Sequence, residues 1–228
     1  MKPPRFTWLI PPGCNEILKR FFVTMVVSKS HDCLFDIGKV LLDFDFESSL
    51  KKHLPKDYAN PSAVLETLLA RKDAFEAGRI PLDSYVDWAM ETMQFQGSRD
   101  DFYHAWRNIF TPNRPMWKLC RQLKQQGHRL LLFSNTSAIH CPWIFEAFPE
   151  FEIFDGSILS FETGFIKPEK AIYEYAISKY GLTPENTIYI DDLPANIATG
   201  QAFGFRAYLY KLNQHEAFEQ WLAREINA

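Results

Sequence analysis

The sequence predicts an α/β protein, a doubly wound parallel sheet with a small all-helical insert after its first strand. Three observations carry that prediction. Short unbroken apolar runs such as "RLLLFSN" suit strands buried on both faces. These runs alternate with amphipathic stretches that end on glycine, the order expected of strand–helix–strand units. Between residues 47 and 112 the apolar spacing is helical, with no strand-like run inside it.

The elements follow in order. "CLFDIGKVLLDFDF", residues 33–46, opens with an apolar run that stops at Asp36, and Gly38 follows two residues later. Asp43 and Asp45 alternate with Phe44 and Phe46, which reads as the polar edge of a small hairpin. In the insert, Asn60-Pro61 reads as a cap with proline in the first turn, ahead of Val64, Leu65, Leu68 and Leu69. Leu82, Tyr85, Val86, Ala89 and Met93 make a second stripe. Ser98 and Asp101 resemble a capping box before Phe102, Ala105, Trp106 and Ile109. Phe75 and Trp106 read as insert core, and Gly78 as a helix end that could also turn toward a substrate.

Beyond the insert, Met116, Leu119, Cys120 and Leu123 share a helical face closed by Gly127. A strand ending in Ser134-Asn135-Thr136 comes next, then a helix over 169–180 closed by Gly181. The strand "TIYID", a helix near 195–203 closed by Gly204 and the strand "RAYLY" complete the pattern. The division expected is a core from residues 25–46 and 113–228, a helical domain over 47–112, and an N-terminal extension over 1–24.

Composition narrows the classes. A chain of 228 residues has room for one large domain or a core with a small insert. Its net charge of -3, with no basic block, argues against a nucleic-acid partner. No apolar segment reaches the roughly 18 residues of a membrane span. Residues 19–27 resemble an export signal only faintly, because their apolar centre is short and no small-residue cleavage site follows. Cys14, Cys33, Cys120 and Cys141 form no CxxC pair and read as free thiols in a reducing compartment, so a cytoplasmic location is expected. The histidines show no ligand spacing, and nothing points to a particular oligomeric state.

Polar groups gather at the ends of the predicted strands. Asp36 ends the first, Ser134-Asn135 the second and Asp191-Asp192 a later one, while Lys167 sits in "GFIKPEKAIY" at a helix entry. In open parallel sheets, ligands bind outside the carboxyl ends of the strands. Two carboxylates about 4 Å apart repel by about 4 kcal/mol at an effective dielectric of about 20. Three converging would raise one another's pKa unless a cation compensates. Lysine supplies one positive charge, and Mg²⁺ can supply the rest, since it takes one or two carboxylates, waters and a substrate phosphate. That is a phosphate-handling site.

Asp after the first strand, Ser after the second, "KP" at a helix start and "DD" after a later strand resemble, in that order, the four motifs of the haloacid dehalogenase superfamily. "FDIGKV" is similar to the FD-x-G-x-V form of the first motif. That form occurs in bacterial α-D-glucose-1-phosphate phosphatases and the phosphatase domain of soluble epoxide hydrolases, which "SNT", "KPEKAIY" and "DDLPAN" also resemble. The similarity runs from about Asp32 to Tyr210.

The resemblance implies a Rossmann-like core and a helical cap that closes over the site. It implies that Asp36 attacks phosphorus, that Asp36, the Gly38 carbonyl and Asp192 hold Mg²⁺, and that Asp191 and Asn196 support the metal's waters. Ser134 and the Asn135 amide would hold phosphate oxygens, and Lys167 would neutralise charge on nucleophile and phosphate. The expected activity is hydrolysis of small phosphorylated metabolites, including sugar phosphates such as hexose 1-phosphates. One departure stands out. Most phosphatases of this superfamily carry a second aspartate, a general acid, where this chain has Gly38. Two alternatives stay open: a 2-haloacid dehalogenase, whose "FDxYGT" motif differs from "FDIGKV", and a degenerate protein that only binds phosphate.

Overall fold

The computed structural model describes residues 30–46, 49, 52–55 and 60–227. The expected extension over residues 1–24 lies outside the described residues. Five parallel strands make the main sheet: β1 (Asp32–Phe35), β4 (Arg129–Ser134), β5 (Gly156–Leu159), β6 (Thr187–Asp191) and β7 (Arg206–Leu209). Their order is β5-β4-β1-β6-β7, so the chain winds outward through β4 and β5, then returns across β1 to β6. The order reverses between β1 and β6, and a crevice opens there at the strand ends.

The strands are short apolar runs because helices cover both faces. On β1, Cys33 and Phe35 point to one side and Leu34 to the other, as a two-residue period requires. The first face packs on α5 (Arg114–Gln125), through Met116, Trp117, Cys120 and Leu123, and on α10 (His215–Ile226). The second packs on α8 (Lys170–Tyr180), through Ile172, Tyr173 and Ala176, and on α9 (Pro194–Ala202). This is the doubly wound α/β architecture predicted from sequence. Cys33, Cys120 and Cys141 are buried free thiols.

The insert has four helices among the described residues: α1 (Pro61–Ala70), α2 (Lys72–Glu76), α3 (Leu82–Met93) and α4 (Arg99–Arg107). Asn60 caps α1 by accepting from the Ala63 amide at 3.1 Å, and Ser98 and Asp101 form a reciprocal capping box at the start of α4. Val64, Leu68, Phe75, Val86, Phe102 and Trp106 form part of a hydrophobic core separate from the two sheet faces. Ile109 falls beyond the end of α4.

One expectation needs correction. The Asp43–Phe46 stretch is not an edge of a local hairpin. β2 (Leu42–Phe44) pairs antiparallel with β3 (Phe110–Pro112), on the far side of the insert, so this ribbon clamps the insert's two ends. Asp43 accepts from Lys39 at 2.6 Å within it. Gly78 has φ 68°, and a Cβ there would lie 2.4 Å from the Phe161 carbonyl. Only glycine allows the insert to meet the core so closely at that point.

Candidate active site

Parallel register brings the strand ends level. Phe35 lies opposite Leu132 on one side and Ile190 on the other, so Asp36 emerges beside the ends of β4 and β6. The Asp36 amide continues the ladder to the Ile190 carbonyl at 3.0 Å, which fixes the backbone at the nucleophile candidate. Asp36, Gly38, Ser134, Asn135, Lys167, Asp192 and Asn196 all border one cavity of about 320 Å³. Asp191 sits beneath it, fully buried. Every residue singled out from sequence is therefore gathered at one end of the sheet.

Lys167 is the hub. Its ammonium donates to Asp191 Oδ2 at 2.6 Å and to the Phe133 carbonyl at 2.7 Å, and it lies 3.1 Å from Asp36 Oδ1. Its side chain is fully buried, so two of its three donors are taken by Asp191 and Phe133 while Asp36 holds it by charge alone. Burial opposes the charge, but Asp191 and Asp36 hold the lysine pKa above its ordinary value. The Asn135 side chain clamps the Lys167 backbone, accepting from its amide at 2.8 Å and donating to its carbonyl at 2.9 Å.

The two neighbouring aspartates are not equivalent. Asp191 Oδ1 accepts from the Leu193 amide and Asn196 Nδ2, each at 2.9 Å, while Oδ2 accepts from Tyr189 Oη at 2.7 Å as well as from Lys167. Burial would raise its pKa, yet the lysine charge and these donors hold it below the ordinary value. Its oxygens are committed to protein. Asp192 is half-buried and faces the cavity; burial, then the Asp191 charge, push its pKa up to about 6.

Asp36 is pushed up to about 7, chiefly by burial, with Lys167 opposing and Asp191 and Asp192 adding to the rise. Its Oδ1 is buried with no aligned hydrogen-bond donor, because the 3.1 Å contact to Lys167 is an ion contact off hydrogen-bond geometry. A buried, undonated carboxylate oxygen is costly.

These features fit a divalent cation. Among the described residues, Asp36, Asp191 and Asp192 each offer an oxygen within 4.8 Å of the others. Three carboxylates against one ammonium leave two negative charges when all are ionised. With Asp191 committed, Asp36 and Asp192 are the side chains available to a metal. Gly38 is beside them, and the ring of Phe44 would lie 3.0 Å from any Cβ added there. The position that lacks the family's acid is thus occupied from the side by an aromatic ring.

Further polar residues not singled out from sequence border the cavity, among them Lys72 and Glu76, paired at 2.7 Å, and His140, whose Nε2 lies 3.1 Å from the Trp106 carbonyl. The i,i+4 spacing of Lys72 and Glu76 was the available signal. Burial raises the Glu76 pKa despite Lys72, and lowers that of His140 to about 4.

A doubly wound sheet with a buried carboxylate–lysine cluster at its switch point defines an α/β protein whose site lies outside the carboxyl ends of its strands. The family model for haloacid dehalogenase-like hydrolases matches residues 33–204, and the chain belongs to that family. It is 26% identical over 178 residues to the sesquiterpene phosphatase astK of Aspergillus oryzae, covering 75% of this chain and 85% of the relative. It is 23% identical over 186 residues to a D-ribitol-5-phosphate phosphatase of Bacteroides thetaiotaomicron, covering 77% and 89%. The crystal structure of an enzyme of this family from Bacteroides thetaiotaomicron, in complex with magnesium and inorganic phosphate, superposes with a TM-score of 0.70 at 24% identity, covering 81% of this chain and 96% of that one. Among the described residues, no helix is long and apolar enough to cross a membrane.

Proposed function

We propose that this enzyme is a Mg²⁺-dependent phosphomonoester hydrolase that transfers the phosphoryl group of a small metabolite to Asp36. The observation that carries this reading is Asp36 Oδ1, buried without an aligned donor beside Asp192 and Lys167. Asp36 attacks phosphorus as the ester P–O bond breaks, the departing alkoxide takes its proton from water, and a second water then cleaves the acyl phosphate to return the carboxylate and release phosphate. Ser134 and the Asn135 amide bind phosphate oxygens. Asp36, the Gly38 carbonyl and Asp192 would hold Mg²⁺, which would supply positive charge to the transferring group. Asp191, oriented by Tyr189, Asn196 and the Leu193 amide, fixes the lysine. Residues 47–112 act as a cap that excludes water during transfer. The names of the two relatives span a sesquiterpene and a ribitol phosphate, so removal of phosphate is the part they share.

The test is release of inorganic phosphate from acetyl phosphate, which carries no tail to recognise. Release should need Mg²⁺, stop with a chelator and return when Mg²⁺ is restored. Halide release from a 2-haloacid that ignores the chelator would establish the dehalogenase instead. Phosphate binding with no turnover would establish a non-catalytic protein.

Protons and metal compete for the same oxygens, which gives a test without turnover. Asp36 at about 7 and Asp192 at about 6 hold protons in the metal-free fold that an unfolded chain releases nearer 4. Without metal, these groups therefore lower stability as pH rises through that window. Buried His140, with its lowered pKa, has the opposite slope. Its contribution cancels when samples with and without Mg²⁺ are compared at one pH. At a fixed Mg²⁺ concentration, the gain in Tm should be larger at about pH 8 than at about pH 5.5. An equal gain at both would remove Asp36 and Asp192 as ligands.

A further inference from the structure

We infer that the alcohol portion of the substrate is apolar, an aliphatic, isoprenoid or aromatic chain, and that the cap's side chains hold it. This rests on the phosphomonoesterase reading and names the substrate class for that site. The cavity has a charged floor at Asp36, Lys167 and Asp192, but its upper wall is Leu68, Phe75, Trp106 and Phe110 from the insert, joined by Ile144 from the core. The rings are fixed by one another. Phe75 stacks on Tyr85 with centroids 3.8 Å apart, and Trp106 meets Phe46 edge-on at 4.8 Å. A wall that holds its shape loses little entropy when a ligand enters.

The rim continues the wall. Among the described residues, five large hydrophobic side chains are exposed, and two of them, Leu69 at 44% and Leu193 at 49%, border this cavity. Exposed apolar side chains continuous with an apolar cavity mark a surface built to be covered.

The charged side chains that the cap brings to the cavity face one another. Lys72 and Glu76 are paired at 2.7 Å, and His140, uncharged at neutral pH with its pKa near 4, faces the Trp106 carbonyl at 3.1 Å. The Asn135 side chain is used by Lys167. Tyr85 supplies a single phenol. A polyol brings a hydroxyl on nearly every carbon, and each one buried without a partner costs about 5- to 150-fold in affinity. An apolar chain gains up to about fourfold per buried methylene. Hexose 1-phosphates, expected from the first-motif resemblance, fit this wall poorly.

The experiment measures binding of alkylphosphonates, from ethyl to dodecyl, in the presence of Mg²⁺, with displacement by inorganic phosphate to confirm the site. Phosphonates are not hydrolysed, so the result stands whether or not acetyl phosphate is turned over, and the two readings fail separately. Affinity should climb with chain length until the cavity is filled, and a polyhydroxylated alkylphosphonate should bind no better than ethylphosphonate. Leu69→Gln, at an exposed helical position, should flatten the climb. Affinity independent of chain length, or the polyhydroxylated phosphonate binding more tightly than the long alkyl ones, would overturn the inference. A slope unchanged by Leu69→Gln would overturn the placement of the chain along this wall.

Discussion

Asp36→Asn is expected to lower turnover by about 10⁴-fold or more while leaving the fold intact. The replacement is nearly isosteric, and Lys167 keeps Asp191 at 2.6 Å and the Phe133 carbonyl at 2.7 Å. The asparagine oxygen is a poor nucleophile and carries no charge for a metal. In the metal-free protein at about pH 8 the change should not lower Tm, because it removes an ionised carboxylate held in a buried site that favours its protonated form. The gain in Tm on adding Mg²⁺ should shrink in the same samples. Turnover within tenfold of the parent enzyme would eliminate the covalent step on Asp36.

The parts of this architecture that were legible in the sequence are those that a parallel sheet makes local. A strand buried on both faces is an unbroken apolar run, so its end is visible wherever a polar residue interrupts it. Asp36, Ser134 and Asp191 were read in that way. Lys167 lies in a loop with no periodicity, and only its "KP" context drew attention to it. Strand β5 was missed because "GSIL" is four residues long and starts with glycine and serine. The β2–β3 ribbon was misread because its partners are separated by the whole insert, and a period of two says nothing about distant pairing.

The cavity wall was hidden for a different reason. Leu68, Phe75 and Trp106 fall on apolar stripes, and burial in a core or against a ligand produces the same spacing. Leu65 and Leu69 also belong to the α1 stripe, yet Leu69 is exposed at the cavity mouth while Leu68 is buried. Sequence periodicity locates a face but not what covers it. Glu76 was overlooked because it is a charged residue on a short helix, where solvent exposure is the ordinary expectation.

Lys167→Met should destabilise the protein by about 3–5 kcal/mol and abolish turnover. Methionine fills most of the lysine's volume, so the loss measures charge more than packing. Asp191 would keep its bonds from Tyr189, Leu193 and Asn196 but lose the one cation that balances it in a fully buried site. Asp36 would lose its only ion contact among the described residues, and its pKa, already about 7, would rise further. At neutral pH the nucleophile would then be largely protonated. Both carboxylates would favour their neutral forms in the fold, so the stability deficit should widen as pH rises above about 4 and narrow toward it. A second substitution separates the charge from everything else. Adding Asp191→Asn to Lys167→Met removes the stranded carboxylate, and the double variant should be more stable than the two single losses combined, by about 0.5–3 kcal/mol. Chemical unfolding of the four proteins at two pH values measures that coupling. Strict additivity, with a deficit indifferent to pH, would mean that Lys167 holds the site by packing and not by its charge.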